Sequence, residues 1–291
     1  MAEKFNVYQE VTNRIINQLE QGVIPWAKPW SGVITGAFNR VSKKPYSLLN
    51  QMLLQHEGEY ATYKQWEGLG GKVRKGEKSE IVVFWKILNV SETNASGEEV
   101  KKSIPLLKYI NVFHISQVDG VEPLNKGEMK VHEPIEEAEK IKNEYAKREN
   151  ILIQERVTNE AFYSPVKDFI QVPCKEQYKD IMEFYSTLFH EMVHSTGHRN
   201  RLGRLDISVQ LASFGSEDYS KEELVAEIGS AFLLNFIGIE TVRTFKNSTA
   251  YIQSWLRVLK NDNKFIISAA GKAEKAVKYI LGVEMSEATT N

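Results

Sequence analysis

The chain has 291 residues, 42% hydrophobic and 26% charged, with a formal net charge of −1, an ordinary composition that can build one large core or two smaller ones. Apolar runs such as Ile81 to Trp85 are too short to span a bilayer, and the polar start Met1-Ala2-Glu3-Lys4 has no signal-peptide core, so the expectation is a cytoplasmic protein with no membrane partner. The single cysteine, Cys174, excludes an internal disulfide and a cysteine-based zinc site; any metal must rest on histidines and carboxylates.

Apolar positions at Val11, Ile15, Ile16 and Leu19 predict an amphipathic helix over Tyr8 to Leu19, ending near Gly22 and Pro25. The run Pro25-Trp26-Ala27-Lys28-Pro29-Trp30 then sets two tryptophans around a lysine in a segment that two prolines should hold extended. No acidic residue occurs between Lys28 and Tyr46. Further helices are expected at Leu48 to Gln55 and around Tyr63 to Leu69, the latter broken by Gly70-Gly71. The basic turn Lys72-Val73-Arg74-Lys75-Gly76 feeds a strand over Ile81 to Lys86. Ser91 to Glu99 reads as an exposed hairpin tip, with Lys108 to Ile115 as the returning strand.

Basic residues interleaved with aromatics suit single-stranded nucleic acid, because bases stack on aromatic faces while Lys and Arg neutralise phosphates. The candidates are Trp26, Lys28, Trp30, Arg40, Lys43, Lys44, Tyr46, Tyr63, Lys64, Trp66, Lys72, Arg74 and Lys75. The pattern has an equally simple reading, in which the tryptophans are core and the lysines a solvated face.

Glu122 to Pro134, with Pro123, Gly127 and Pro134 and few apolar residues, marks the boundary between an N-terminal domain, residues 1–125, and a C-terminal one, residues 126–291. A charged helix is expected over Ile135 to Ala146, and one or two short strands over Phe162 to Val172.

The helical run Tyr178 to Gly197 carries His190-Glu191-Met192-Val193-His194. Residues four apart project from one helix face, so His190 and His194 can close on one ion while Glu191 points beside it, the H-E-x-x-H arrangement of zinc peptidases. A catalytic zinc takes a third protein ligand. The metzincin position for a third histidine holds Asn200, and His198 comes too early, past the helix end expected at Gly197. The stronger source is the helix Glu222 to Phe236, whose Glu223 and Glu227 share one face. This pair resembles gluzincins, in which the first carboxylate binds zinc and the second orients a metal-bound histidine. That resemblance makes Glu223 the ligand and Glu227 its supporting carboxylate. Alternatively, Ser220 and Glu223 form a capping box and Glu227 is the ligand.

Such a ligand set holds one Zn2+ per chain, or another divalent ion. It leaves Glu191 to take a proton from the attacking water. An oxyanion stabiliser is expected, for which His198, Tyr219 and Tyr163 are candidates.

Read as a whole, residues 5 to 284 resemble the ArdC antirestriction proteins of conjugative plasmids and related mobile elements. The resemblance rests on ordered motifs. In the first half these are Ile24-Pro25-Trp26 with Pro29-Trp30, Lys44-Pro45-Tyr46, Thr62-Tyr63-Lys64-Gln65 and Val73-Arg74-Lys75-Gly76. In the second they are Asp168-Phe169-Ile170, the H-E-x-x-H motif with Thr196-Gly197-His198, Glu223-Leu224-Val225-Ala226-Glu227 and Ser254-Trp255-Leu256. His114 stands where Asn is expected.

The resemblance implies an α+β protein of two domains: an N-terminal mixed α/β domain that binds single-stranded DNA and a mostly helical, zincin-like metallopeptidase domain. Together they would shield incoming DNA from host restriction, with a host restriction subunit as a candidate substrate. The alternative function is a DNA-coating protein whose metal site is structural or vestigial.

Overall fold

The computed structural model describes residues 5–27, 36–93, 99–124, 134–205, 217–239 and 249–283. Helix α1 (Val7–Glu20) starts at Asn6, whose side chain accepts hydrogen bonds from the Tyr8 and Gln9 backbone N–H groups. It buries Val11, Ile15, Ile16 and Leu19, each contributing about 1.5–3 kcal/mol by leaving water. Pro25–Ala27 then turns as a short 3-10 helix rather than running extended, and Trp26 enters the core.

Strand β1 (Ala37–Asn39), helix α2 (Leu48–Leu53), strand β2 (Gly58–Ala61) and helix α3 (Tyr63–Gly68) follow. After the short β3 (Lys72–Val73) come two long strands, β4 (Glu80–Thr93) and β5 (Glu99–His114), and then β6 (Val118–Asp119). The main sheet has the order β1-β2-β5-β4, with β1 parallel to β2 and the other neighbours antiparallel; β3 and β6 form a separate antiparallel pair. Asn50 ties α2 to this sheet, donating to the Val83 carbonyl at 2.8 Å and accepting from the Val83 N–H at 2.7 Å.

Both long strands exceed the expected spans. Burial stops near Val83 and Leu107, which is where an alternating apolar signal fades, but the register continues unbroken to Thr93 opposite Glu99.

The second half opens with α4 (Pro134–Glu149) and a three-stranded sheet of order β7-β9-β8: β7 (Leu152–Arg156), β8 (Phe162–Ser164) and β9 (Phe169–Pro173). The expected strand region is thus an antiparallel pair, β8 and β9, reversed near Asp168 at φ 51°. Strand β7 was not anticipated and pairs parallel to β9. Helices α5 (Ile181–Ser195), α6 (Glu217–Phe236), α7 (Thr249–Asn261) and α8 (Phe265–Leu281) complete the chain. Among the described residues, no helix is long and apolar enough to cross a membrane.

One apolar core crosses the expected 125/126 boundary. Val11, Trp26 and Met52 belong to the same buried cluster as Leu188, Leu233, Trp255 and Ile266. The Trp26 ring meets Trp255 edge-on at 5.2 Å, and Thr12 Oγ1 donates to the Asn263 carbonyl at 2.8 Å.

Candidate metal centre

Helix α5 begins at Asp180, whose side chain accepts a 2.9 Å hydrogen bond from the Met182 N–H. Phe184, Tyr185, Leu188, Phe189, Met192 and Val193 are fully buried and fix the rotation of the helix about its axis. That rotation turns His190 and His194 toward α6, with their Nε2 atoms 3.0 Å apart. Helix α6 comes close because Gly229 has no side chain; a Cβ there would lie 2.8 Å from Val193 Cγ2. Ser230 Oγ also donates to the Ser186 carbonyl at 2.9 Å.

The approach delivers Glu223 to both rings, Oε2 at 3.5 Å from His190 Nε2 and Oε1 at 3.3 Å from His194 Nε2. His190, His194 and Glu223 are the one group of three potential ligands that the described residues gather within 4.8 Å. Donors about 2.0–2.1 Å from a tetrahedral zinc ion lie about 3.3–3.4 Å apart, so two imidazole nitrogens and a carboxylate at these separations fit a divalent cation. The capping reading of Glu223 fails, because α6 starts at Glu217 and carries Ser220 inside its first turns.

Each imidazole has a second carboxylate at its other nitrogen. Glu227 Oε1 lies 3.6 Å from His190 Nδ1, and Glu222 Oε1 lies 3.4 Å from His194 Nδ1. Glu222 is itself held by Arg204, whose Nε approaches both carboxylate oxygens at 3.1 and 3.2 Å. Arg204 also donates to Thr196 Oγ1 at 2.7 Å and to the Val193 carbonyl. Glu222 and Arg204 were missed from sequence. The cue for Glu222 was its adjacency to Glu223; Arg204 gave none, because the turn after Gly197 carries it back onto the helix end, with the Leu205 N–H on the Gly197 carbonyl.

Burial alone would lower both histidine pKa values, but the carboxylates overcome it. His190 is raised by Glu223, and His194 is pushed up to about 10 by Glu222 and Glu223. Glu223 moves the opposite way, held well below the usual carboxylate range by the two histidines against its own burial. Glu191 is buried and its pKa is raised by that burial, with His190 and His194 pulling it back; the Tyr163 backbone also bonds to it.

The oxyanion candidates fare differently. Tyr163 commits its hydroxyl to Asp168 Oδ1 at 2.8 Å. His198 lies beyond the end of α5, outside the ligand group, with Nδ1 accepting from the Asn200 N–H at 3.3 Å. The side chain of Tyr219 lies outside the described residues.

In the N-terminal half several nucleic-acid candidates need correction. Trp26 and Trp66 are 0% exposed, and Trp66 Nε1 is bonded to the Phe113 carbonyl at 2.9 Å. Neither offers a ring face to a base, because their large apolar surfaces form the core. Arg40 is ion-paired to Glu59 in a nearly closed site, Arg74 is paired with Glu77 and Asp119, and Tyr46 packs edge-on against Tyr60. Lys43, Lys44, Tyr63, Lys64, Lys72 and Lys75 are exposed; Lys28 and Trp30 lie outside the described residues.

Comparison with known proteins finds two family models that match the chain. Residues 5–113 match the family model for the N-terminal domain of anti-restriction factor ArdC, and residues 138–272 match that for a zincin-like metallopeptidase. A DNA primase TraC of Escherichia coli is 34% identical over 99% of the chain, which spans 28% of that relative's length. The crystal structure of the antirestriction protein ArdC from plasmid R388 in its metal-free form has a TM-score of 0.72 and 32% identity, covering 96% of this chain and 100% of that one. Its Mn(II)-bound form has a TM-score of 0.74 and 31% identity, covering 96% and 98%. With both halves matched in order and the whole of a solved relative covered, the chain belongs to the ArdC-type antirestriction proteins.

Proposed function

We propose that this chain protects incoming DNA from host restriction by binding single-stranded DNA through its N-terminal half and cleaving a protein, a host restriction subunit being the candidate, at a zinc site in its C-terminal half. The observation that carries the peptidase reading is the convergence of His190, His194 and Glu223 at 3.0–3.5 Å with buried Glu191 one residue along the helix.

In this reading His190, His194 and Glu223 hold one Zn2+, or another divalent ion such as the Mn(II) in the R388 relative. The bound ion makes a water more acidic and polarises a substrate carbonyl. Glu191 accepts the water's proton and passes it to the leaving amine, a role that suits a carboxylate whose burial raises its pKa. Glu222 and Glu227 hold the imidazoles in the tautomer and orientation that leave Nε2 free to bind. Strand β8 is an edge of its sheet beside Glu191, so an extended peptide can add to it as a further strand.

The test is metal analysis of the purified chain and its Glu191→Gln variant, with candidate restriction subunits incubated in the same tubes and single-stranded DNA binding followed with and without chelator. About one zinc per chain in both proteins, cleavage by the wild type alone and chelator-insensitive DNA binding are expected. Equal metal content with cleavage by neither leaves the DNA-coating reading.

A further inference from the structure

Beyond Val83 and Leu107 the β4–β5 hairpin leaves the body of the protein as a two-stranded ribbon. Positions 84–89, 102–105 and 108–111 are all exposed. Its register puts Phe84 opposite Lys108 on one face, with Lys86 next along it. Trp85 points to the other face, as does Tyr109, the partner of Val83. Trp85 is 46% exposed and Tyr109 40%; Trp26, Trp66 and Trp255 are buried, so among the described residues Trp85 is the tryptophan that solvent reaches.

The two rings on this second face each meet one aromatic ring from the start of the chain. Phe5 meets Tyr109 at 4.8 Å between centroids, and Tyr8 meets Trp85 at 6.4 Å. Apolar surface of this extent left in water points to a partner. The charge says which kind: residues 84–93 and 99–111 contain four lysines, at 86, 101, 102 and 108, against two glutamates, Glu92 and Glu99, both at the far end of the strands. Two copies of such a ribbon would set lysine against lysine, whereas a polyanion with flat apolar bases satisfies both features at once.

We propose that single-stranded DNA wraps this ribbon around its free β4 edge, with bases stacking on Trp85 and Tyr109 on one face and on Phe84 on the other, where phosphates meet Lys86 and Lys108. The assignment rests on the single-strand reading above and relocates its stacking platform from the buried tryptophans to the exposed ribbon.

The experiment uses the full chain, a fluorescently labelled oligothymidylate and anisotropy titrations across salt concentrations. Trp85→Ala should weaken binding on the order of 5- to 100-fold with an unchanged salt slope. Lys86→Glu with Lys108→Glu should instead flatten the slope by about 1 to 1.5, near 0.7 for each phosphate no longer neutralised. Tryptophan emission should be quenched on binding in the wild type, and far less in Trp85→Phe, which keeps a ring and most of the affinity. All these positions are exposed, and unaltered melting confirms the fold.

A wild type that fails to bind the oligonucleotide overturns the single-strand reading itself. A wild type that binds, with ribbon variants that bind equally well, overturns only the ribbon assignment; weaker binding in Tyr63→Ala with Lys64→Glu would then put the strand beside α3. A wild-type dimer that Trp85→Ala converts to monomer with DNA binding intact also overturns it, in favour of self-association.

Discussion

Glu222 reaches the Nδ1 side of His194 at 3.4 Å while its neighbour Glu223 reaches the Nε2 side at 3.3 Å, so two consecutive carboxylates bracket one imidazole. Consecutive helical residues point about 100° apart; both can touch the same ring because it stands between them. The two contacts do different work. Glu223 faces the point where the histidine nitrogens converge, whereas Glu222 is turned away from it and anchored by Arg204. Glu222→Gln should therefore leave the ligand set whole and lower zinc or manganese affinity about 10- to 100-fold, as removal of a carboxylate behind a metal-bound histidine does. Isothermal titration of the metal into the apo variant measures this. An affinity equal to that of the wild type would reduce Glu222 to a salt-bridge partner of Arg204.

Glu223 and Glu227 were rival ligands in the sequence, and the geometry separates them. Glu227 approaches the outer nitrogen of His190, on the side away from His194 Nε2. Glu223→Ala should abolish stoichiometric metal, and Glu227→Ala should weaken binding while retaining it at saturating metal. Elemental analysis after dialysis against a defined free-metal buffer distinguishes the two. Full occupancy in Glu223→Ala with metal missing from Glu227→Ala would reverse the assignment.

What the sequence made legible was local. The four-residue spacing of His190 and His194 fixes their common face in any helix, and the apolar stripe of α1 dictates which side it buries. Relations set by tertiary packing were not legible. Arg204 meets Glu222 only because the chain turns back after Gly197, where a Cβ would lie 2.6 Å from Leu205 Cγ. Trp26 and Trp66 carry the same side chain as Trp85, and composition offers nothing to separate a buried indole from an exposed one. The hairpin was expected, with its tip at Ser91 to Glu99, but its length and the exposure of Phe84, Trp85 and Tyr109 were not, because apolar residues such as Phe84-Trp85 and Ile87-Leu88 come in adjacent pairs that mark neither face as buried.

Gly229 supports the metal centre from a distance. A methyl group at this position meets Val193, a β-branched side chain with little room to rotate, one residue before His194. Gly229→Ala gains about 1 kcal/mol of helix propensity but incurs about 1–3 kcal/mol of overpacking. The expected net result is a modest fall in melting temperature and weaker metal binding, as α6 is pushed away from α5. Val193→Ala in the same chain should restore much of both, since it removes the atoms the new methyl meets. Independent, additive effects of the two substitutions would show that the helices do not meet here.

The N-terminal half shares its core with the C-terminal half. The break in sequence between residues 122 and 134 suggests that a fragment ending near Glu128 folds by itself, but the core argues otherwise. Without the second half, Trp26 has no Trp255 to pack on, Thr12 has no Asn263 carbonyl, and the Leu48 N–H has no Glu274 Oε2, which it meets at 3.3 Å in the whole chain. The buried face of α1, with Val11, Ile15, Ile16 and Leu19, belongs to a cluster shared with α7 and α8. Exposing it forfeits about 1.5–3 kcal/mol for each fully buried side chain, against a typical total stability of about 5–15 kcal/mol for a domain. The fragment should accordingly show a broad thermal transition, weak near-ultraviolet dichroism and binding of a hydrophobic dye. The full chain should melt cooperatively. A sharp transition in the fragment, with near-ultraviolet signals like those of the whole protein, would mean that β1-β2-β5-β4 with α2 and α3 suffices as a folding unit. The Trp26–Trp255 contact would then be a docking interface between two finished domains rather than part of one core.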